Sequence, residues 1–397
     1  MSLSAIECGF IPLVDSAPLV VARELGFAAE EGLDLRLHKE RSWSALRDKL
    51  AFGRLDAAHM LAPAPVAMSM GLGGMPMRID ALSVLSINGD VVCVSPELAS
   101  KMRDNGLPPD LLAAEGIGRS LIAAAPRPLK IGVPFPFSMH AELLYYWFGA
   151  LGLAAPQELV VRTVPPPLMG EAMAAGEIDA FCVGEPWGSV AVSKGVAELV
   201  MPACAIWAFA PEKVLAVRHD WVGERPDAAE ALMRAVWRAG RWLAEPGNAM
   251  TAAEFLSRAA YLDIGSYAIE RTLAGRVVVS ESGEERAAPR LIAFFDGAAT
   301  FPWRSQAVWI ATRLAERNGL DRAEAARAGR SCFRSDLYRA HLGPIGADLP
   351  MSSEKLEGSL TERTRVASST GEMMLGPDRF FDGRVFDPET ASGARSD

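Results

Sequence analysis

The same short phrase occurs twice in this chain of 397 residues, and it constrains the fold more than any other feature. Gly53-Arg54-Leu55-Asp56-Ala57 is followed, seven residues after its aspartate, by Pro63, and Gly176-Glu177-Ile178-Asp179-Ala180 is followed at the same offset by Pro186. A glycine that ends a helix ahead of an Asp-Ala pair opening a short apolar strand is a common α/β junction, so one copy says little. Two copies with a matching proline point to two lobes built on one plan. The length agrees, since domains of roughly 100–200 residues make this chain two or three compact units.

Around each copy the pattern alternates between strand and helix. Residues 6–13 are strand-like, and Asp15-Ser16-Ala17-Pro18 then opens a helix that closes at Leu25-Gly26. Residues 31–37 alternate as a strand, and Ser42 caps a helix reaching Gly53. The grammar recurs at Lys130-Ile131-Gly132-Val133-Pro134, followed by a helix from about Met139 to Gly152. Such a rhythm predicts an α/β fold of mainly parallel sheets flanked by helices, with ligand beyond the carboxyl ends of the strands. Residues 81–87 and 214–217 read as two crossovers between lobes, and residues 228–244, 252–261 and 306–317 as helices covering the first lobe. The expected division is 1–86 for the first lobe, 87–212 for the second, 213–345 completing the first, and 346–397 as an extended strap.

A net charge of −9 argues against nucleic-acid or anionic-membrane surfaces, which need concentrated Lys and Arg. Attraction for an anion must then be local to a site. Cys8, Cys93, Cys182, Cys204 and Cys332 are odd in number and isolated in apolar segments, so they are expected as buried thiols in a reducing compartment. No apolar run reaches membrane length, and no Cys/His spacing suggests zinc, so neither metal nor cofactor is expected. The first residues show no export leader, which makes a cytoplasmic location the expectation. No nucleophile elbow, phosphate loop or dinucleotide fingerprint is present, and Asp56, Asp179 and Glu185 read as strand-end architecture rather than acid–base groups. The chain reads as a binder, not an enzyme.

A bound oxyanion needs donors without acceptors. Four places at predicted strand ends offer them: Ser42-Trp43 at a helix start, Asn88-Gly89 at the first crossover, His140 in a first helical turn, and Lys213 ahead of the returning strand. Each has an ordinary alternative. Trp43 also suits a core, His140 a capping or solvent-facing role, and Lys213 a solvated loop.

Longer motifs carry a resemblance. Residues 9–19 (Gly9-Phe10-Ile11-Pro12-Leu13-Val14-Asp15-Ser16-Ala17-Pro18-Leu19), Ser42-Trp43, Asp56-Ala57-Ala58-His59-Met60-Leu61-Ala62-Pro63, and Val164-Pro165-Pro166-Pro167-Leu168-Met169 all contribute to it, as do residues 176–187, Phe380-Phe381-Asp382-Gly383 and Phe386-Asp387-Pro388. Through them the chain resembles, nearly end to end, the nitrate and bicarbonate solute-binding proteins of ABC transporters, of the NrtA, CmpA and NasS type, with the cytosolic NasS-type nitrate sensors nearest.

The resemblance implies a type II periplasmic-binding-protein fold, two α/β lobes joined by two hinge strands, with nitrate or nitrite between them. It implies that Trp43, Gly89, His140 and Lys213 contact the anion, with Asp90 standing where relatives usually offer an amide. It implies as partner an RNA-binding antiterminator of the NasT type, or alternatively an ABC permease. An enzyme of thiamin-pyrimidine synthesis on the same fold is a remote alternative, because the scattered cysteines form no cluster. Nitrate only accepts hydrogen bonds, whereas bicarbonate also donates and suits an acidic partner. Two cationic donors, His140 and Lys213, against one acid, Asp90, lead to the expectation of nitrate or nitrite.

Overall fold

A computed structural model describes residues 3–74 and 77–392. The first sheet has six strands in the order Ile292–Ala293, Ile79–Asn88, Pro211–Arg218, Ala57–Leu61, Ser4–Phe10, Leu33–Lys39. The second has five, Leu159–Thr163, Leu129–Val133, Ala180–Gly184, Asp90–Val94 and Glu198–Pro202. Each sheet therefore opens with three parallel strands in the order 2-1-3, then takes in an antiparallel strand arriving from the other lobe: Pro211–Arg218 in the first, Asp90–Val94 in the second. The sheets are more mixed than the expected parallel ones, because a strand that enters from the facing lobe must run against its new neighbours.

The repeated phrase has one structural meaning in both lobes. Asp56 accepts the backbone N–H of Glu7 at 2.9 Å and donates its own N–H to the Glu7 carbonyl at 2.8 Å. Asp179 does the same with Lys130, at 2.9 and 2.8 Å. Each aspartate thus pins the start of its lobe's third strand to its first, and the matching prolines begin or immediately precede the helices Pro63–Ser69 and Trp187–Ser193. The cap serines correspond too. Ser42 Oγ accepts from Ala45 N and Ser138 Oγ from Ala141 N, both at 3.2 Å, fixing the starts of the helices Trp43–Ala51 and Met139–Ala150.

The helical segments fall at Pro226–Leu243, Ala249–Ser257 and Arg304–Asn318. One piece of 213–345 departs from the expected division. Val277, Val278 and Val279, in and beside the hairpin Arg276–Val278 with Glu285–Ala287, share one buried apolar cluster with Val91, Phe181 and Val183 of the second sheet, and Leu199 N donates to the Val279 carbonyl at 3.1 Å. Burying three consecutive valines against an apolar sheet face outweighs nearness in sequence. The strap is not wholly extended, since Thr364–Ser368 and Gly371–Leu375 form an antiparallel hairpin. All five cysteines are buried and unpaired.

The lobes touch. Val14 N donates to the Glu185 carbonyl at 2.9 Å, and Trp187 Nε1 to the Pro12 carbonyl at 2.8 Å. Arg317, on the helix Arg304–Asn318 against the first lobe, forks onto the fully buried Glu142 of the second-lobe helix. The strap crosses the same seam: Phe380 stacks on Trp207 and Trp309, and Tyr146 donates to Asp382 at 2.8 Å. No helix among the described residues is long and apolar enough to cross a membrane.

Candidate functional site

Strand ends from both lobes deliver a chain of ionisable groups to the gap between them. Asp15 sits in the turn after the first strand, His59 within the third, Asp90 at the entry of the crossover strand, His140 in the first turn of its helix, and Glu212 and Lys213 at the start of the returning strand. All six are buried. His140 places Nε2 2.9 Å from Asp90 Oδ1 and Nδ1 3.3 Å from Glu212 Oε1. Lys213 donates to the same Glu212 oxygen at 2.7 Å and lies 2.7 Å from Asp15 Oδ2, while His59 Nε2 is 2.9 Å from Asp15 Oδ1. Trp43 closes the group, its ring 5.6 Å from the Lys213 ammonium and 5.7 Å from the His59 ring.

These pairs are close without being well aligned. Both oxygens of Asp15 and of Asp90, both nitrogens of His59 and of His140, Glu212 Oε2 and Trp43 Nε1 make no hydrogen bond of good geometry. Buried polar atoms are rarely left so, and a cluster of them where two lobes meet is the signature of a site built to receive a polar ligand.

Burial and neighbours sort the charges. Burial works to raise Asp15, but Lys213 and His59 outweigh it and hold its carboxyl at about 2. Burial also works to lower Lys213, yet Asp15, Glu212 and Asp90 keep it firmly protonated. Burial raises Asp90 to about 6 against the pull of Lys213, and burial with the Asp90 charge raises Glu212 to about 8. Burial lowers His140 to about 4 and also lowers His59, so both rings are neutral at neutral pH.

Sequence reasoning placed Trp43, Gly89, Asp90, His140 and Lys213 at one site, and the structure brings them to one gap. Gly89, with φ of +115°, lies between the strands; a Cβ built there would lie 3.9 Å from Asp15 Oδ2, and a side chain would strain the backbone beside the cluster. Two expectations change. Asn88 offers no free amide: its Nδ2 donates to the carbonyls of Ala208 and Arg290 at 3.1 and 3.0 Å and its Oδ1 accepts from Ala210 N, stapling the two crossovers together. Nor does the balance of two cations against one acid hold. Asp15 and Glu212 join Asp90, and His140 is neutral, so Lys213 faces three carboxyl groups. The signal missed was an ionisable residue inside an apolar strand, as in Ala57-Ala58-His59-Met60-Leu61, and an acid beside a functional lysine.

Asp90, His140 and Glu212 each bring one ligand-type atom within 4.8 Å of the others. A divalent cation there would meet the Lys213 ammonium, already bonded to Glu212 Oε1, so the trio is read as a holder of protons. A surface cavity of about 580 Å³ bounded by Arg304, Lys355 and Asp387 lies against the strap and contains none of these groups.

Two lobes of one topology, crossed twice by exchanged strands and closing on a buried polar cluster, define a solute-binding protein of the periplasmic-binding-protein fold. The chain belongs to the NMT1-like family, whose pattern it matches over residues 2–257, and its full-length similarity places it with the NrtA-type binding proteins. It is 30% identical to the nitrate/nitrite binding protein NrtA of Synechococcus elongatus, across 98% of this chain and 84% of that one. The corresponding values for NrtA of a Nostoc species are 29%, 96% and 83%. The crystal structure of the periplasmic nitrate-binding protein NrtA from Synechocystis PCC 6803 superposes with a TM-score of 0.84 at 25% identity, covering 98% of this chain and 97% of that one. The chain also matches bicarbonate-transport and nitrate-import ATP-binding proteins of Synechococcus elongatus at 33% identity, spanning about half of their length (45% and 52%). Proteins of this type bind and do not catalyse.

Proposed function

We propose that the chain binds nitrate or nitrite between its lobes, contacted by Trp43, Gly89, His140 and Lys213 with Asp90 in the same wall, and that it works as a sensor. The observation carrying this reading is the convergence of buried polar groups from both lobes: Trp43 Nε1 and the ion-paired Lys213 from one and His140 from the other, with Trp43 Nε1 and both His140 nitrogens making no hydrogen bond of good geometry. A planar anion touching both sides stabilises only the closed arrangement, so binding is a population shift toward closure. Three charge-assisted hydrogen bonds at about 1.5–3 kcal/mol each reach the roughly 8 kcal/mol of micromolar binding, before closure and desolvation are subtracted.

A thermal-shift panel of nitrate, nitrite, bicarbonate, sulfate and taurine tests the ligand. Nitrate or nitrite is expected to raise the midpoint of the parent and to leave Lys213→Ala and His140→Ala unmoved. A parent indifferent to both anions, or a full shift retained in Lys213→Ala, overturns the reading.

The sensor role, in which the closed form releases an RNA-binding antiterminator of the NasT type, draws support from the transport ATP-binding relatives. There the same module accounts for about half of a protein that must work where ATP is. Full-length similarity to NrtA favours the second reading, delivery of the anion to an ABC permease. Co-elution with the antiterminator, abolished by nitrate, supports the sensor; recovery of the protein from the periplasm with no such complex supports delivery.

A further inference from the structure

The charge count of the cleft is incompatible with a bare monoanion. Asp15 and Lys213 cancel at 2.7 Å. What remains is the trio Asp90, His140 and Glu212, in which each ring nitrogen of the histidine faces a carboxyl group. With the ring as imidazolium both acids are ionised; with the ring neutral it donates on one side only, and one acid must carry the second proton. Either way the trio holds two protons and one net negative charge, fully buried.

Asp90 is hemmed in by charge on every side. His140 faces it from the helix Met139–Ala150, Glu212 and Lys213 from the returning strand, Asp15 from the turn after the first strand, and Glu185 and Cys182 from the adjoining strand and its end. Only Lys213 among them is a fixed cation, and it is already shared between Asp15 and Glu212. A nitrate placed against His140 and Lys213 would add a second net negative charge among fully buried groups, where charge is poorly screened.

We propose that Asp90 sets which ligand the cleft accepts, by admitting a monoanion only as a carboxylic acid that donates to it, so that anion and proton enter together. This rests on the oxyanion reading above and gives it a further property: the cleft reports the product of anion and proton concentrations, not anion alone. The third proton restores the trio to neutrality, and the charge of the filled site equals that of the free one. An amide at this position would donate without titrating, so the acid makes a proton-coupled anion site where an amide would make a pH-indifferent one. The position of Asp90, raised to about 6 by burial, puts the transition just below neutrality.

The test is calorimetric titration of the full chain with nitrate and with nitrite at pH 6, 7 and 8. Each point is measured in two buffers of different ionisation enthalpy so that protons taken up are counted directly, for the parent and for Asp90→Asn. Uptake near one proton per anion is expected in the parent at pH 7, and more than one at pH 8 where Glu212 also begins to lose its proton, with the dissociation constant rising about tenfold or more per pH unit. In Asp90→Asn uptake should fall to near zero and the dissociation constant should be flat. Binding by the parent without proton uptake overturns the inference and leaves the oxyanion reading standing, as does an unchanged uptake in a folded Asp90→Asn. Binding that needs added calcium or magnesium and is abolished by EDTA also overturns it, since a cation then supplies the counter-charge. If neither anion binds either protein at any pH, the oxyanion reading itself fails.

Discussion

Among the described residues Lys213 is the one fixed cation of the cluster, and replacing it with methionine is the sharpest perturbation of the site. Its ammonium is wholly buried, 2.7 Å from both Asp15 and Glu212. Methionine keeps the aliphatic length under Trp43 and removes the charge. Glu212 can respond by holding its proton, since burial already raises it to about 8. Asp15, whose carboxyl that ammonium and His59 together hold at about 2, must then stay charged without its main partner or take up a proton against that low value. Lys213→Met should therefore cost about 3–5 kcal/mol of folding stability, the usual penalty for stranding one buried partner of an ion pair. Asp15→Asn added to it removes the stranded charge and should return at least half of that loss. Urea denaturation at pH 7 measures both, with an unchanged dependence on denaturant showing that the same surface is exposed. Nitrate at a hundred times its dissociation constant should add about 2.7 kcal/mol to the parent and nothing to either variant. A loss below about 1 kcal/mol in Lys213→Met, or a double variant as unstable as the sum of the two singles, refutes the reasoning that this lysine compensates Asp15.

Two further outcomes follow from the same geometry. Glu212 is raised from its ordinary 4.5 to about 8, so the stability its proton provides is complete below 4.5 and is lost as pH climbs through 8. His140, held down from 6.5 to about 4, has stopped opposing this trend above 6.5. Between pH 6.5 and 8 the unfolding free energy should fall by up to about 1.4 kcal/mol per pH unit, and Glu212→Gln should flatten that slope; a flat or rising profile in the parent contradicts it. Glu142→Gln breaks the charge-assisted fork to Arg317 across the seam while keeping its shape, which should weaken anion binding about tenfold or more by calorimetry; an unchanged dissociation constant means the pair does not favour closure.

The plan of the molecule was open to reading because it is local. Asp56 and Asp179 repeat at equal offsets since each performs one backbone task in its own lobe, and Ser42 and Ser138 announce helix starts because a cap needs only its own next three residues. Lys213, His140 and Trp43 were found through motifs whose chemistry suits an anion. Asp15, His59 and Glu212 were not, although Asp15 and His59 lie within quoted motifs and Glu212 is the neighbour of Lys213, because nothing in a segment says which distant segment its side chain will face.

The sequence alone therefore determined two lobes of a common topology, the helix starts that present the donors, and an acid at position 90 beside Gly89. Tertiary structure decided the charge of the site, by drawing Asp15, Asp90, His140 and Glu212 from four separated segments into one buried cluster. It also decided that residues 276–287 serve the second lobe and that Phe380 seals the seam between lobes against Trp207 and Trp309. The physical reason is the range of the forces. Capping and periodicity act over a few residues and leave a pattern in the chain, whereas ionisation in a buried cluster depends on every neighbour at once and leaves none.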